Sequence, residues 1–336
     1  LASPFYLEGH EVFISASIGI VLSWGINSAT YSCERPEELL RDADTAMYRA
    51  KVQGRSRYEV FDIAMHNQVV MRLQLETDLQ RAIERQEFVL LYQPIVSLKT
   101  GSITGFEALI RWIHPQRGLI CPDLFIPIAE ETGLIVSIGH WVLDEACRQI
   151  SRWQTQFSNR TALTISVNLS VKQFAWPNLV NEIAQSLHQF NLNPRCLKLE
   201  ITESVLMENA ELVTTVMQQL KSLGVVLCLD DFGTGYSSLS YLHRFPVEIL
   251  KIDRSFVSHM SFGNENFKIV QAITTLAQSL SIDVIAEGIE TVEQQAQLSR
   301  LQCQYGQGYL FSKPLERNTA DTLIAQQLAQ TNNTSI

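Results

Sequence analysis

The chain has 336 residues, 18% charged and 46% hydrophobic, which is enough to bury a large core and too apolar for wholesale disorder. A formal net charge of −9, with no long basic stretch, excludes an electrostatic groove for a nucleic-acid polymer. Six cysteines (Cys33, Cys121, Cys147, Cys196, Cys228, Cys303) form no Cys-x-x-Cys pair. That argues against a disulfide framework or zinc knuckle and for reduced thiols in a cytoplasmic compartment. No apolar run approaches the ~20 residues of a membrane span. Because the first residue is Leu1, an upstream membrane anchor stays open.

In chain order, Phe13 to Val21 reads as β, with Gly19 inside it. Glu37 to Val52 reads as a helix striped by Leu39, Leu40, Ala43, Met47 and Ala50, and Arg57 to Phe61 as a short strand. Two strands and a helix do not close a stable core in ~60 residues, so residues 1–62 read as part of something larger. Asp62 to Arg85 has helical periodicity, and residues 63–78 read as a connecting helix. Residues 79–331 alternate apolar β-rich runs with amphipathic helices. The strand candidates are Val89–Pro94, Gly105–Trp112, Leu163–Leu169, Leu197–Thr202, Val225–Asp231, Ile249–Ile252, Asp283–Glu287 and Gly306–Leu310. Eight strands separated by helices in ~250 residues predict an α/β fold: a mostly parallel, eight-stranded β/α barrel of the TIM type. Gly233-Thr-Gly235 lacks the third glycine of a dinucleotide loop.

Polar residues recur at the strands' C-terminal ends, where a β/α barrel builds its active site. They are Gln93, Glu107, Asn168, Glu200, Asp230, Asp231, Lys251, Glu287 and Gln307, in strand order. One strand-end carboxylate is more often a helix cap or a solvated loop residue. Five carboxylates in one mouth repel unless cations lie among them. Oxygen donors without thiol or imidazole suit Mg²⁺, Mn²⁺ or Ca²⁺. Two such ions most often serve phosphate chemistry. Glu107, Asn168, Glu200 and Asp230 are expected to hold one ion and Asp231 to reach a second. Lys251 is expected to hold the attacking water, and Glu287 to ligate the second ion or take a proton.

Two resemblances follow. Ala16-Ser-Ile-Gly-Ile-Val21, Asp42-Ala-Asp-Thr-Ala-Met-Tyr48, Ala50-Lys51 and Gly54-Arg55 resemble the C-terminal part of a GGDEF (diguanylate cyclase) domain whose signature loop is not present. Tyr92-Gln-Pro94, Gly105-Phe-Glu-Ala-Leu-Ile-Arg-Trp112, Val167-Asn-Leu-Ser170, Leu199-Glu-Ile-Thr-Glu203, Leu229-Asp-Asp-Phe-Gly-Thr-Gly-Tyr-Ser-Ser238, Leu250-Lys-Ile-Asp253, Ala286-Glu-Gly-Ile-Glu290 and Gln307-Gly-Tyr-Leu-Phe-Ser-Lys-Pro314 resemble the EAL family of cyclic-di-GMP phosphodiesterases. This second resemblance implies a barrel that opens cyclic-di-GMP to linear pGpG with Mg²⁺ or Mn²⁺, two ions being expected; Ca²⁺, which prefers more ligands and looser geometry, is expected to inhibit. It implies the same metal ligands, Lys251 on the nucleophilic water, and Gln93, Arg111 and Gln307 toward the substrate, with Arg111 on phosphate. A homodimer through the barrel and an upstream sensor domain are further expectations.

It also places at Glu203 a carboxylate that braces the loop Phe232 to Ser238; a helix N-terminal acid is the plainer reading. Gln302-Cys303-Gln304 departs from the Gly-Cys-Asp of many members and is expected to shape the rim of the site. Two other functions stand beside hydrolysis. One is a catalytically weak module that binds cyclic-di-GMP and signals without cutting it. The other is a Schiff-base aldolase built on Lys251, which flanking carboxylates disfavour because they keep the amine charged.

Overall fold

The computed structural model describes residues 4–8, 10–22, 35–157, 163–208, 210–234 and 245–333. The chain divides into two compact units, Leu1–Leu79 and Gln80–Ile336.

In the first unit, β1 (Phe5–Leu7) and β2 (His10–Val12) form an antiparallel ribbon. The β3 strand (Ile18–Ile20), α1 (Pro36–Val52) and β4 (Tyr58–Val60) form a β-α-β unit with β3 and β4 parallel. Pro36 opens α1, Glu37 and Glu38 fill its first turn, and Arg49 and Lys51 its last, an order that complements the helix dipole. Gly19 lets β3 pack against that helix: a Cβ there would meet Ala43 O at 1.9 Å. The strand around Gly19 is three residues long, shorter than the run from Phe13 to Val21 expected from its β-rich composition. The α2 helix (Ile63–Ala82) spans the division between the units.

The second unit is an eight-stranded closed barrel. Its described elements begin with β5 (Phe88–Ser97), β6 (Ile103–His114), β7 (Gly118–Ile120), α3 (Pro122–Thr132), α4 (Ile135–Gln156) and β8 (Thr164–Leu169). They continue with α5 (Val171–Phe174), α6 (Leu179–Gln189), β9 (Leu197–Thr202), α7 (Glu203–Glu208), α8 (Ala210–Leu223) and β10 (Val226–Phe232). After β11 (Ile249–Ile252) come α9 (Arg254–Ser258), α10 (Glu265–Ser279), β12 (Asp283–Ala286), α11 (Val292–Arg300), β13 (Tyr305–Gly306) and α12 (Arg317–Asn333). The strand order is β5-β13-β12-β11-β10-β9-β8-β6, and β5 pairs with β6 to close the circle; β7 is a hairpin partner added to β6.

The first barrel strand runs against the others. β5 is antiparallel to both β6 and β13, whereas the remaining barrel pairs are parallel. The cause is the connection. Residues 98–102 form a tight turn in which Gly101 N donates to Ser97 O (2.8 Å) and Gly101 takes φ +72°. So short a link joins antiparallel strands only, since a parallel pair needs a crossover of a dozen residues or more. Gln93 therefore does not end its strand. It lies in mid-strand, in register with Glu107.

Successive strand residues alternate between the barrel interior and the helix layer. The lower interior is an apolar cluster of Ile95, Val226, Cys228, Ile249 and Ile285, against which Tyr305 packs. The next inward positions are Asp230 on β10, Lys251 on β11 and Glu287 just past the end of β12. The apolar floor thus changes to a charged layer within one step of two residues.

Candidate active site in the barrel mouth

Lys251 is the centre of that layer. It is 1% exposed, and its Nζ lies 2.6 Å from Glu200 Oε2, 2.7 Å from Glu287 Oε1, 3.2 Å from Asp230 Oδ1 and 3.4 Å from Glu107 Oε2. Glu107 is further held by amides: Asn168 Nδ2 donates to its Oε1 (2.7 Å) and Gln307 Nε2 to its Oε2 (2.7 Å). Gln307 Nε2 also donates to Gln93 Oε1 at 3.0 Å. The site residues expected on the eight barrel strands are therefore brought into one connected cluster.

Asp231 joins it by a backbone device. Alternation would turn it away from Asp230, but Asp231 has φ +54° and the β10–β11 register shifts between Leu229 and Phe232. The left-handed residue lets the two adjacent carboxylates converge. Oxygens of Asp230, Asp231 and Glu287 lie within 4.8 Å of one another, the one such acidic, histidine or cysteine group among the described residues.

Electrostatics sort the carboxylates. Burial raises Glu107, but Lys251 and the amides of Gln307 and Asn168 outweigh it and hold the group below the ordinary carboxylate value. Burial, then Glu107 and Asp230, push Glu200 well above that value despite Lys251. Burial drives Glu287 up to about 8 against the pull of Lys251. Asp231 is raised by burial and by Asp230. Burial alone would lower Lys251, but Asp230, Glu107, Glu200 and Glu287 hold it well above a free lysine. A permanently charged Lys251 is unfit to form a Schiff base, as the sequence suggests.

The donor set fits hard divalent cations. Four carboxylates (Glu107, Glu200, Asp230, Glu287) surround one ammonium, Asp231 lies beside Asp230 and Glu287, and every candidate ligand atom is an oxygen. Glu200 Oε1 and Gln307 Oε1 are buried without a hydrogen-bond partner among the described residues. Such acceptors are costly unless a cation or donor reaches them.

Two expected residues and one segment sit differently. Arg111 shares the inward side of β6 with Glu107 but is half-buried, and its Nη1 donates to Ile110 O (2.7 Å) rather than joining the cluster. Glu203 is buried and opens α7 directly after β9, so it occupies a first helical turn, where an acid favours the dipole. Of the loop it was expected to brace, residues 235–238 lie outside the described residues. The segment Gln302-Cys303-Gln304 is not at the rim. It precedes β13, at the N-terminal end of the barrel, where Gln304 Oε1 accepts from Val284 N (2.9 Å). Lys198, which no motif in the sequence marks, is also turned inward by the alternation through Glu200.

Comparison with known proteins agrees with this geometry. The EAL domain family model matches residues 76–314. The chain is 45% identical over 315 residues to "Bifunctional diguanylate cyclase/cyclic di-GMP phosphodiesterase MucR" of Pseudomonas aeruginosa, covering 94% of this chain and 45% of that protein. It is 41% identical over 315 residues to "Cyclic di-GMP phosphodiesterase PdeR" of Escherichia coli, covering 94% of this chain and 46% of the relative. The chain thus spans less than half the length of these curated relatives. Among solved structures, "PaMucR Phosphodiesterase, c-di-GMP complex" superposes with a TM-score of 0.70 at 46% identity, covering 74% of this chain and 99% of that one. By family match, sequence identity and barrel architecture together, the chain belongs to the EAL domain family.

Proposed function

We propose that this chain hydrolyses cyclic-di-GMP to linear pGpG in the mouth of its barrel, using Mg²⁺ or Mn²⁺ held by oxygen ligands. The observation that carries the reading is the convergence of Asp230, Asp231 and Glu287 beside the Lys251 hub. The names of MucR and PdeR, and the cyclic-di-GMP complex of PaMucR, support the substrate.

Glu107, Asn168, Glu200 and Asp230 are assigned to one ion, and Asp231 with Glu287 to a second. Bound there, divalent ions lower the pKa of water and neutralise developing phosphoryl charge. Lys251 holds the attacking water through its fixed charge. The water oxygen bonds to phosphorus while the bond to the departing ribose oxygen breaks. Glu287 would take the water's proton in the ionised form that bound divalent ions favour, and the departing ribose oxygen takes a proton from solvent. Gln93 and Gln307 orient the substrate, and Arg111 turns its guanidinium from Ile110 O to a phosphate when the dinucleotide arrives. Incubating the chain with Mg²⁺ and cyclic-di-GMP and separating the nucleotides tests this. Accumulating pGpG supports it, and retained cyclic-di-GMP on a chain that binds it identifies a binding module instead.

We also read residues 1–62 as the C-terminal part of a diguanylate cyclase-like domain, residues 63–78 as the connecting helix and 79–331 as the phosphodiesterase barrel. The support is that the 315-residue match to MucR is longer than the barrel and that MucR is named for both activities. An upstream sensor is proposed from the greater length of the relatives, which include "Oxygen sensor protein DosP" of Escherichia coli, 39% identical over 315 residues. Dimerisation through the barrel is tested by sedimentation with and without cyclic-di-GMP.

A further inference from the structure

Lys198 lies two residues before Glu200 on β9 and is only 6% exposed. The alternation that points Glu200 into the barrel points Lys198 inward as well, one layer lower. A contact across the interior agrees: its Nζ sits 5.6 Å over the ring of Tyr305 on β13, four steps from β9 in the strand order. Among the described residues Lys198 makes no ion pair with a carboxylate; the aromatic face is its partner.

The interior shared by this floor lysine and the site is buried. Cys228, 0% exposed beneath Asp230, feels the charges of Glu200, Lys198, Lys251 and Asp230 together. Ser166, in register with Lys198 on β8, has a buried Oγ with no hydrogen-bond partner among the described residues. Floor and mouth therefore share one poorly screened interior.

We propose that Lys198 is a positioning residue that acts on the metal site from below. Its ammonium is a fixed internal cation that helps Lys251 neutralise the carboxylates of the ion-free mouth and opposes divalent ions entering it. The site thereby holds its ions less tightly than its carboxylates alone would. The proposal rests on the reading of the mouth as a metal site. Two residues of strand separate Lys198 from Glu200 by ~7 Å of rise. At an effective dielectric of ~20, a unit charge ~7 Å from a divalent ion changes its affinity by roughly 10³-fold; with the ammonium held over Tyr305, about tenfold is the smallest effect expected.

The test is calorimetric titration of the full chain with MnCl₂, without nucleotide, for the parent, Lys198→Met and Lys198→Arg. Lys198→Gln takes the place of the Met variant if that one does not fold. The expected result is Mn²⁺ affinity about tenfold tighter in Lys198→Met and within about twofold of the parent in Lys198→Arg. Affinity unchanged or weaker in Lys198→Met overturns the proposal. So does a lowered Tm with unchanged affinity, which is what a purely structural lysine would give. If the parent itself takes up no Mn²⁺, the metal-site reading fails, and the proposal fails with it.

Discussion

The ammonium of Lys251 lies 2.6 Å from Glu200 Oε2 in an ion pair whose side chains are 1% and 0% exposed. Burying both charges is costly, and three further carboxylates crowd the same ammonium. The arrangement is hard to account for by stability alone and suits a site whose negative charge is completed by added cations.

Lys251→Met should lower kcat by ~10²-fold or more while KM stays within about threefold, because the lost charge acts on the water in the transition state. The metal-free variant should also be less stable by about 3 kcal/mol, since carboxylates lose a buried partner. Steady-state kinetics and thermal melts read both. An equal rise in KM would make Lys251 a substrate clamp.

Metal binding should strengthen as pH rises. Glu287, raised to about 8 by burial, and Glu200, raised well above its ordinary value by burial, favour their protonated forms. A divalent ion must displace those protons. The sign follows: an acid whose folded pKa is raised favours the metal-free fold below its unfolded value. That stability is lost as pH climbs through about 8. The increase in Tm on adding Mn²⁺ should therefore be larger at pH 8.5 than at pH 6.5. An equal shift at both would contradict the assignment of Glu287.

Asp231 keeps a left-handed backbone at φ +54° to bring its carboxylate beside Asp230. Asp231→Gly and Asp231→Ala should both weaken Mn²⁺ binding. The Ala variant should be less stable than the Gly variant by about 1 kcal/mol, because only glycine adopts that φ without Cβ strain. Chemical denaturation of the two variants measures the gap. No difference would mean the backbone relaxes when the carboxylate is removed.

Much of this site was legible as a pattern of period two. Glu200 on β9 and Asp230 on β10 stand at positions that an alternating strand must turn inward, so a list of strand ends already assembles most of the ring. The direction of β5 was legible too, in the five residues of turn between Ser97 and Ile103, but a strand-helix repeat imposed on the whole chain overrides it. The place of Asp231 beside Asp230 was legible, but the left-handed backbone that puts it there was not, because a positive φ at a non-glycine residue is set by the register shift beside it. Nor was the Arg111 hydrogen bond to Ile110 O, since the rotamer of a long side chain leaves no trace in sequence. The segment before β13 was misplaced to the rim although the expected strand began at Gly306 and ran to Leu310. Residues 302–304 precede the observed strand Tyr305–Gly306 as they precede the expected one, and the lead-in to a barrel strand lies at the end opposite the mouth.

Glu203 separates two roles. If it braces the loop after β10, Glu203→Gln should lower activity moderately, raise the Mn²⁺ concentration for half-activity and expose residues 232–238 to protease, with Tm nearly unchanged. If it serves only the first turn of α7, the same change should lower Tm by a degree or two, from about 0.5 kcal/mol of lost dipole interaction, and leave metal dependence alone. Limited proteolysis read beside a metal titration distinguishes them.

The most direct test of the account is pGpG formation from cyclic-di-GMP by the purified chain across an ion panel. Activity is expected with Mg²⁺ and Mn²⁺, loss with EDTA, and inhibition by Ca²⁺, which takes more ligands at longer, looser distances and activates water poorly. Hydrolysis that survives EDTA, or runs at full rate in Ca²⁺, would contradict a metal-dependent mechanism in this mouth.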